Sequence, residues 1–85
     1  MYLQSYANGA EHKAKGVNAV YAPVCGPLGR TPTGGRNWES YSPDPYLSGI
    51  AFGQSIAGMQ AGGAIAIGKH YLLYEQEHFR QRLEW

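Results

Sequence analysis

The sequence carries no charged residue between Pro45 and Gly68. A stretch of this length without charge is buried either inside a protein or inside a bilayer, because exposed surfaces are normally rich in charged side chains. The pair Gly62-Gly63 interrupts the stretch, and glycines at that place end a helix. We therefore predict a buried helix that ends at about Gln60, followed by a short buried strand over Ala64–Gly68.

The predicted helix begins at Ser42-Pro43-Asp44. Serine is a good N-cap, proline suits the first turn, and an acid there complements the helix dipole. A membrane span over Pro45–Gly68 is an alternative, and the spaced pairs Gly49/Gly53 and Gly58/Gly62 resemble the packing motifs of membrane helices. Against it stand several polar side chains and the glycine pair in the middle of the stretch.

The first half of the chain repeats the order helix then strand. A helical spacing of apolar residues predicts a first helix that is capped by Gly16; its predicted face consists of Leu3, Tyr6, Ala7, Ala10 and Ala14. Val17–Val24 is apolar and partly β-branched, which predicts a buried strand. Cys25–Tyr41 is a long glycine-rich loop, and Glu75–Trp85 is predicted to be a last, charged helix. This order predicts an α/β fold with parallel strands and a right-handed βαβ crossover.

Size and composition exclude several classes of protein. Eighty-five residues form at most one small domain, and the single cysteine, Cys25, supports no disulfide framework. A net charge of +1 predicts no nucleic-acid partner. The N-terminus lacks a basic stretch followed by an apolar core, so no signal peptide is visible.

Polar residues converge at the predicted carboxyl ends of the strands, where sites form in parallel sheets. Lys69 and His70 follow the second strand directly, and Arg36 lies in the long loop. All three can donate hydrogen bonds to a ligand with many hydroxyl groups. Trp38 and Tyr41 could present flat faces to sugar C–H groups. The simpler alternative is that the two cations are solvated or pair with acids such as Glu39.

Other chemistries fit the sequence less well. Acids and imidazoles cluster near the C-terminus, but their spacing matches no zinc signature, and we expect no metal and no cofactor; the cluster consists of His70, Glu75, Glu77 and His78. The glycine-rich loop lacks the lysine and hydroxyl of a phosphate-binding loop. Cys25 has no partner base at a recognisable spacing, which favours a buried structural thiol.

Several motifs together resemble fungal β-glucosidases of glycoside hydrolase family three. The resemblance runs from about Gly9 to Gln81, and the motifs occur in the family's order. They are Lys13–Asn18, Gly26–Arg30, Gly34–Glu39, Ser42–Tyr46, Lys69–Tyr71 and Glu75–Arg80. Two positions depart from the family pattern: Tyr74 stands where asparagine is usual, and Gly68 stands where alanine is usual.

The resemblance implies a chain cut from a (β/α)8 barrel of the TIM type, which needs roughly 250 residues when complete. It implies that Arg36, Lys69 and His70 hold the hydroxyls of the terminal glucose of a β-glucoside or cello-oligosaccharide. Trp38 and Glu39 lie in the same motif as Arg36 and are expected to shape the loop or a subsite.

The resemblance also implies hydrolysis with retention and an extracellular parent enzyme. The nucleophile and the acid/base are expected outside these 85 residues, so no catalytic residue is assigned here and the isolated chain is expected to be inactive. A non-catalytic interaction module is the remaining alternative. Because a partial barrel leaves apolar faces uncovered, we expect non-specific self-association of the chain.

Overall fold

The computed structural model describes residues 1–72, 74, 75, 77 and 80. Its elements are two helices, two short strands and a 3-10 turn: α1 (Tyr2–Ala14), β1 (Ala19–Val20), the turn Asn37–Glu39, α2 (Pro45–Ala61) and β2 (Ile65–Ala66). The α/β class and the order of elements agree with the sequence prediction. The complete barrel and the handedness of the crossover stay predictions. Most of the predicted helix over Glu75–Trp85 lies outside the described residues.

The two strands pair in parallel, as predicted, with Ala19 opposite Ile65 and Val20 opposite Ala66. A further parallel bridge joins Val24 to Lys69. Both strands are shorter than the predicted segments Val17–Val24 and Ala64–Gly68, and the reason lies in β1. Proline has no N–H to donate, and the preceding Ala22 donates its N–H to the carbonyl of Val20 at 2.8 Å instead of to the ladder.

Helix α2 begins two residues later than predicted. Asp44, not Ser42, is the N-cap, and its carboxylate accepts the backbone N–H of Tyr46 at 3.2 Å and that of Leu47 at 3.3 Å. Pro45 therefore occupies the first helical turn, where its missing N–H costs nothing. The Oγ of Ser42 instead accepts the N–H of Asp44 at 3.0 Å.

The membrane alternative required one helix through the whole charge-free stretch. Helix α2 ends at Ala61, and the chain then enters β2. Among the residues that the structure describes, no helix is both long and apolar enough to cross a bilayer.

Helix α1 ends as the sequence predicts. Gly16 has a φ of 89°, in the left-handed region that favours glycine. Its N–H donates to the carbonyl of Lys13 at 3.1 Å, and the N–H of Val17 donates to that of His12 at 2.9 Å. These two bonds form a Schellman motif, which satisfies carbonyls that the end of the helix would leave unpaired.

The face that α1 presents to α2 is not the predicted one. Leu3 is 79% exposed, whereas Ser5 and Gly9 are the buried residues of α1. A Cβ on Gly9 would lie 2.5 Å from the carbonyl oxygen of Met59, and one on Gly62 would lie 2.5 Å from that of Tyr6. The helices pack with their backbones almost in contact, which only small residues permit. The Gly58/Gly62 pair that resembled a membrane motif therefore serves close packing between two helices of the chain, whereas a Cβ on Gly49 or Gly53 would meet nothing within 4 Å.

Hydroxyl groups on and around α2 add hydrogen bonds to this packing. The Oγ atoms of Ser5 and Ser55 lie 2.6 Å apart, and the Tyr41 hydroxyl donates to Ser55 Oγ at 2.5 Å. Ser48 Oγ donates to the carbonyl of Ser42 at 2.8 Å. The three serines are buried and each is hydrogen-bonded, so their burial carries little of the cost of an unpaired polar group.

Large apolar side chains are correspondingly exposed. Ile65 is 62% exposed, and Ile50, Ile67 and Leu72 are exposed as well. The buried apolar residues among those described are Ala51, Met59 and Ala64. These exposed residues are less buried than their types normally are, as expected of a partial barrel. The prediction that both strands are buried was wrong for this chain, because β1 and β2 are each partly exposed.

Candidate functional site

A cleft of about 680 Å³ opens at the carboxyl ends of the two strands. The Val24–Lys69 bridge brings these strand ends together, and the glycine-rich loop covers one side. Fifteen residues line the cleft: Val24, Cys25, Gly26, Pro27, Gly29, Arg30, Arg36, Asn37, Glu39, Ser40, His70, Tyr71, Leu72, Tyr74 and Glu75. Arg36, Glu39 and His70, which the sequence singles out, are among them.

Arg36, Glu39 and Lys69 form one ion-paired cluster. Arg36 donates from Nε to Glu39 Oε2 at 2.8 Å and from a terminal nitrogen to Oε1 at 3.2 Å, which is a bidentate pair. Lys69 Nζ donates to the same Oε1 at 3.0 Å. Hydrogen bonds from Arg36 and then from Lys69 lower the pKa of Glu39 from its usual 4.5 to about 2. Hydrogen bonds to Glu39 and Glu77 raise the pKa of Arg36.

A second carboxylate completes the surroundings of Arg36. Glu77 Oε1 accepts from Arg36 at 3.0 Å and from Arg80 at 3.0 Å, and the Glu77 side chain is only 10% exposed. Glu77 lies in the segment Glu75–Trp85, for which the sequence predicts a charged helix, yet its side chain is not solvated. No local spacing relates residues 41 positions apart; the one available signal is that both acids follow soon after the strand end that carries Lys69 and His70.

Glu75 holds the other part of the glycine-rich loop. Its carboxylate accepts the backbone N–H of Arg30 at 2.5 Å and lies 3.4 Å from the Arg30 side chain. Gly29, with a φ of 76°, makes room for this contact, because a Cβ there would lie 2.9 Å from Glu75 Oε2. Two acids of the cluster near the C-terminus, Glu75 and Glu77, thus accept hydrogen bonds from arginines. His78 lies outside the described residues. Among the residues that the structure describes, no group of three metal-ligating side chains converges.

His70 lies beside the cluster, on the wall of the cleft. Its ring packs against Tyr74 with the centroids 4.5 Å apart and the planes tilted by 37°. Tyr74 is a position where the chain departs from the family pattern, and the aromatic ring supports His70 there. The Cys25 thiol donates to the carbonyl of His70 at 3.6 Å and is half-buried on the cleft wall, so the prediction of a buried thiol was wrong.

The two aromatic candidates of the loop lie elsewhere. Trp38 is 81% exposed and is not part of the cleft lining. Tyr41 is half-buried, and its hydroxyl donates to Ser55 in the helix contact. Tyr41 therefore connects the loop to the helices, and it is not among the residues that line the cleft.

Comparison with known proteins identifies the family. A family model for the "Glycosyl hydrolase family 3 N terminal domain" matches residues 2–80. The chain belongs to glycosyl hydrolase family 3. The match begins before Gly9, so the segment related to family 3 extends further toward the N-terminus than the motifs alone indicated.

Family 3 relatives are similar over almost the whole chain. Probable beta-glucosidase A of Emericella nidulans is 56% identical over 80 residues, which is 94% of this chain and 9% of that protein. Beta-glucosidase 1 of Aspergillus aculeatus is 53% identical over 83 residues, or 98% of this chain and 10% of that protein. The solved structure of the beta-glucosidase D2-BGL from Chaetomella raphigera matches with a TM-score of 0.82 at 50% identity, covering 89% of this chain and 11% of that chain. The chain thus spans about a tenth of the length of these relatives.

Proposed function

We propose that this chain is the part of a β-glucosidase that binds the hydroxyl groups of the terminal glucosyl unit, through Arg36, Lys69 and His70. The observation that carries the proposal is the cluster of Arg36, Glu39 and Lys69 at the strand ends, beside the cleft that His70 lines. The names of the relatives support the reaction class, since each is a beta-glucosidase.

The cluster has donors to spare for a polyhydroxylated ligand. A guanidinium has five N–H groups, and Arg36 uses three of them toward the described residues. An ammonium has three, and Lys69 uses one toward Glu39. Because carboxylates already pair both cations, the site favours a neutral ligand such as a glucoside over a phosphate, which would compete for the same charges.

The same pairing argues against proton transfer by Glu39. A general acid needs a pKa near the working pH, whereas that of Glu39 is lowered to about 2. We therefore propose that the nucleophile and the acid/base of a retaining hydrolysis belong to parts of the parent enzyme beyond these residues. The use of cello-oligosaccharides and an extracellular location remain parts of this proposal.

A segment exchange tests the function in a complete enzyme. In this segment-exchange enzyme, the chain replaces the 83 residues of Aspergillus aculeatus Beta-glucosidase 1 that it matches. We expect hydrolysis of an aryl β-glucoside, and we expect Arg36→Met and Lys69→Met each to lower kcat/KM about 10- to 100-fold, the effect of one charge-assisted hydrogen bond. A folded but inactive exchange enzyme, or full activity in both variants, would contradict the proposal.

A further inference from the structure

We infer that Glu39 is a positioning residue that holds Arg36 and Lys69 together, so that the N–H groups that these cations do not use toward the described residues serve one sugar. The inference rests on the proposed function and deepens it. Both carboxylate oxygens of Glu39 accept hydrogen bonds from the two cations, so its contacts are with Arg36 and Lys69.

The geometry of Glu39 couples two distant parts of the chain. Its Oε1 accepts from Arg36, three positions away in the loop, and from Lys69, thirty positions away at the end of β2. Sharing one oxygen keeps the ammonium beside the guanidinium, although two cations repel each other at short range. The three side chains are only 19–26% exposed, so solvent screens these contacts less than it screens fully exposed pairs.

Local structure fixes where Glu39 points. Asn37–Glu39 is a 3-10 turn, and the N–H of Glu39 donates to the carbonyl of Arg36 at 3.1 Å. This turn orients the carboxylate toward its own loop arginine as well as toward β2. A change at Glu39 therefore alters the placement of Arg36 relative to Lys69, the two side chains proposed to bind the sugar. The loop keeps its separate contact with Glu75.

The other carboxylates of the site do not share this geometry. Glu77 reaches Arg36 and Arg80, and Glu75 reaches Arg30. Among the residues that the structure describes, Glu39 is the carboxylate that contacts both Arg36 and Lys69. Glu75 therefore offers a matched control, because Glu75→Gln removes an ion pair of the same loop without touching either cation of the cluster.

Kinetic measurements distinguish a positioning role of Glu39 from a purely structural one. A purely structural role would lower the amount of folded enzyme and hence the apparent kcat, with KM and the inhibition constant for glucose unchanged. A positioning role weakens sugar binding in the ground state, which raises KM and the glucose inhibition constant together.

The test compares Glu39→Gln, Glu39→Asp and Glu75→Gln in the segment-exchange enzyme. We expect Glu39→Gln to raise KM and the glucose inhibition constant about 10- to 100-fold. Glu39→Asp should recover part of this loss. Glu75→Gln should change both constants less than about 3-fold, because its amide oxygen can still accept the Arg30 backbone N–H and the Arg30 side chain is 92% exposed. Equal effects of Glu39→Gln and Glu75→Gln, or a fall in kcat alone, would overturn the inference.

The outcomes also separate this inference from the function on which it rests. If Arg36→Met and Lys69→Met impair sugar binding but Glu39→Gln does not, only the positioning role is wrong. If none of the three has an effect, the proposed function is wrong and the inference falls with it. Should Glu39→Gln of the exchange enzyme not fold, Glu39→Asp is compared with Glu75→Gln by glucose inhibition of the same enzyme, and equal inhibition constants overturn the inference.

Discussion

The backbone of Gly9 in α1 packs directly against the backbone of Met59 in α2. A Cβ at Gly9 would lie 2.5 Å from the Met59 carbonyl oxygen and 3.1 Å from its Cα. Because these neighbours are backbone atoms, they cannot turn away as a flexible side chain could. The helices therefore have to separate to admit even one methyl group.

We expect Gly9→Ala to destabilise the fold by about 1–3 kcal/mol, the usual cost of forcing an extra carbon into a packed contact. Gly53→Ala is the matched control, since a Cβ at Gly53 in α2 meets nothing within 4 Å. There the better helix propensity of alanine should stabilise by roughly 0.5–1 kcal/mol. Urea denaturation of the segment-exchange enzyme measures both changes, and a stabilising Gly9→Ala would refute the close contact.

The cluster around Glu39 should make stability depend on acid pH. The pKa of Glu39 is lowered from 4.5 to about 2 by hydrogen bonds from Arg36 and Lys69. A depressed pKa in the folded state means that the stabilisation is fully present above pH 4.5 and is lost as the pH falls toward 2. The difference in unfolding free energy between the segment-exchange enzyme and its Glu39→Gln variant should therefore be constant above about pH 5 and shrink below 4.5. A difference that stays constant down to pH 2 would contradict this assignment.

The 85-residue chain alone should not hydrolyse an aryl β-glucoside. The described carboxylates of the cleft are occupied by cations, and a retaining mechanism needs two carboxyl groups roughly 5–5.5 Å apart on either side of the bond. Release of the aryl alcohol is the measurement, with intact Aspergillus aculeatus Beta-glucosidase 1 as the positive control. Turnover that disappears in Glu39→Gln or Asp44→Asn would show that the chemistry has been misplaced.

The isolated chain should also self-associate or open easily in water. Ile50, Ile65 and Ile67 are exposed, and the two-stranded sheet has open edges, so apolar surface and unpaired backbone groups are available to other copies. Light scattering over a range of concentrations and amide exchange across β1 and β2 test this. A cooperative thermal transition from a dilute monomer, with slow exchange in both strands, is the contrary result.

Sequence patterns predicted the order and type of the elements but not their details. Ser42-Pro43 and Asp44-Pro45 both have the form of a helix start, and propensity does not choose between them. The choice depends on the hydrogen bonds that Ser42 makes at the helix start, where its carbonyl accepts from Ser48 and its Oγ accepts the N–H of Asp44. The predicted apolar face of α1 was also wrong. It was chosen from the helical spacing of apolar residues, whereas the residues of α1 that are buried against α2 are the small Ser5 and Gly9.

The candidate site was predicted in the same uneven way. The rule that sites form at the carboxyl ends of parallel strands predicts Lys69 and His70 near the loop that carries Arg36. In the structure Arg36 and His70 line one cleft, and Lys69 joins Arg36 through Glu39. The pairing of Arg36 and Lys69 with Glu39, which the sequence analysis gives as the simpler alternative, occurs in the structure. The contact between Arg36 and Glu77 was missed, because it joins residues 41 positions apart. Such a pairing follows from the fold and from no spacing along the chain.

The hydrogen bond between Glu39 and Lys69 joins residues that lie on either side of α2 in the sequence. This order has a consequence for the recombination of genes of related β-glucosidases. A breakpoint inside α2 takes the carboxylate from one parent and the ammonium from the other. Such a hybrid keeps the contact only when both parents encode the pair in the same orientation. Breakpoints outside residues 36–80 inherit the described ion pairs of the cluster as one block, and shuffled libraries cut there should retain more active members.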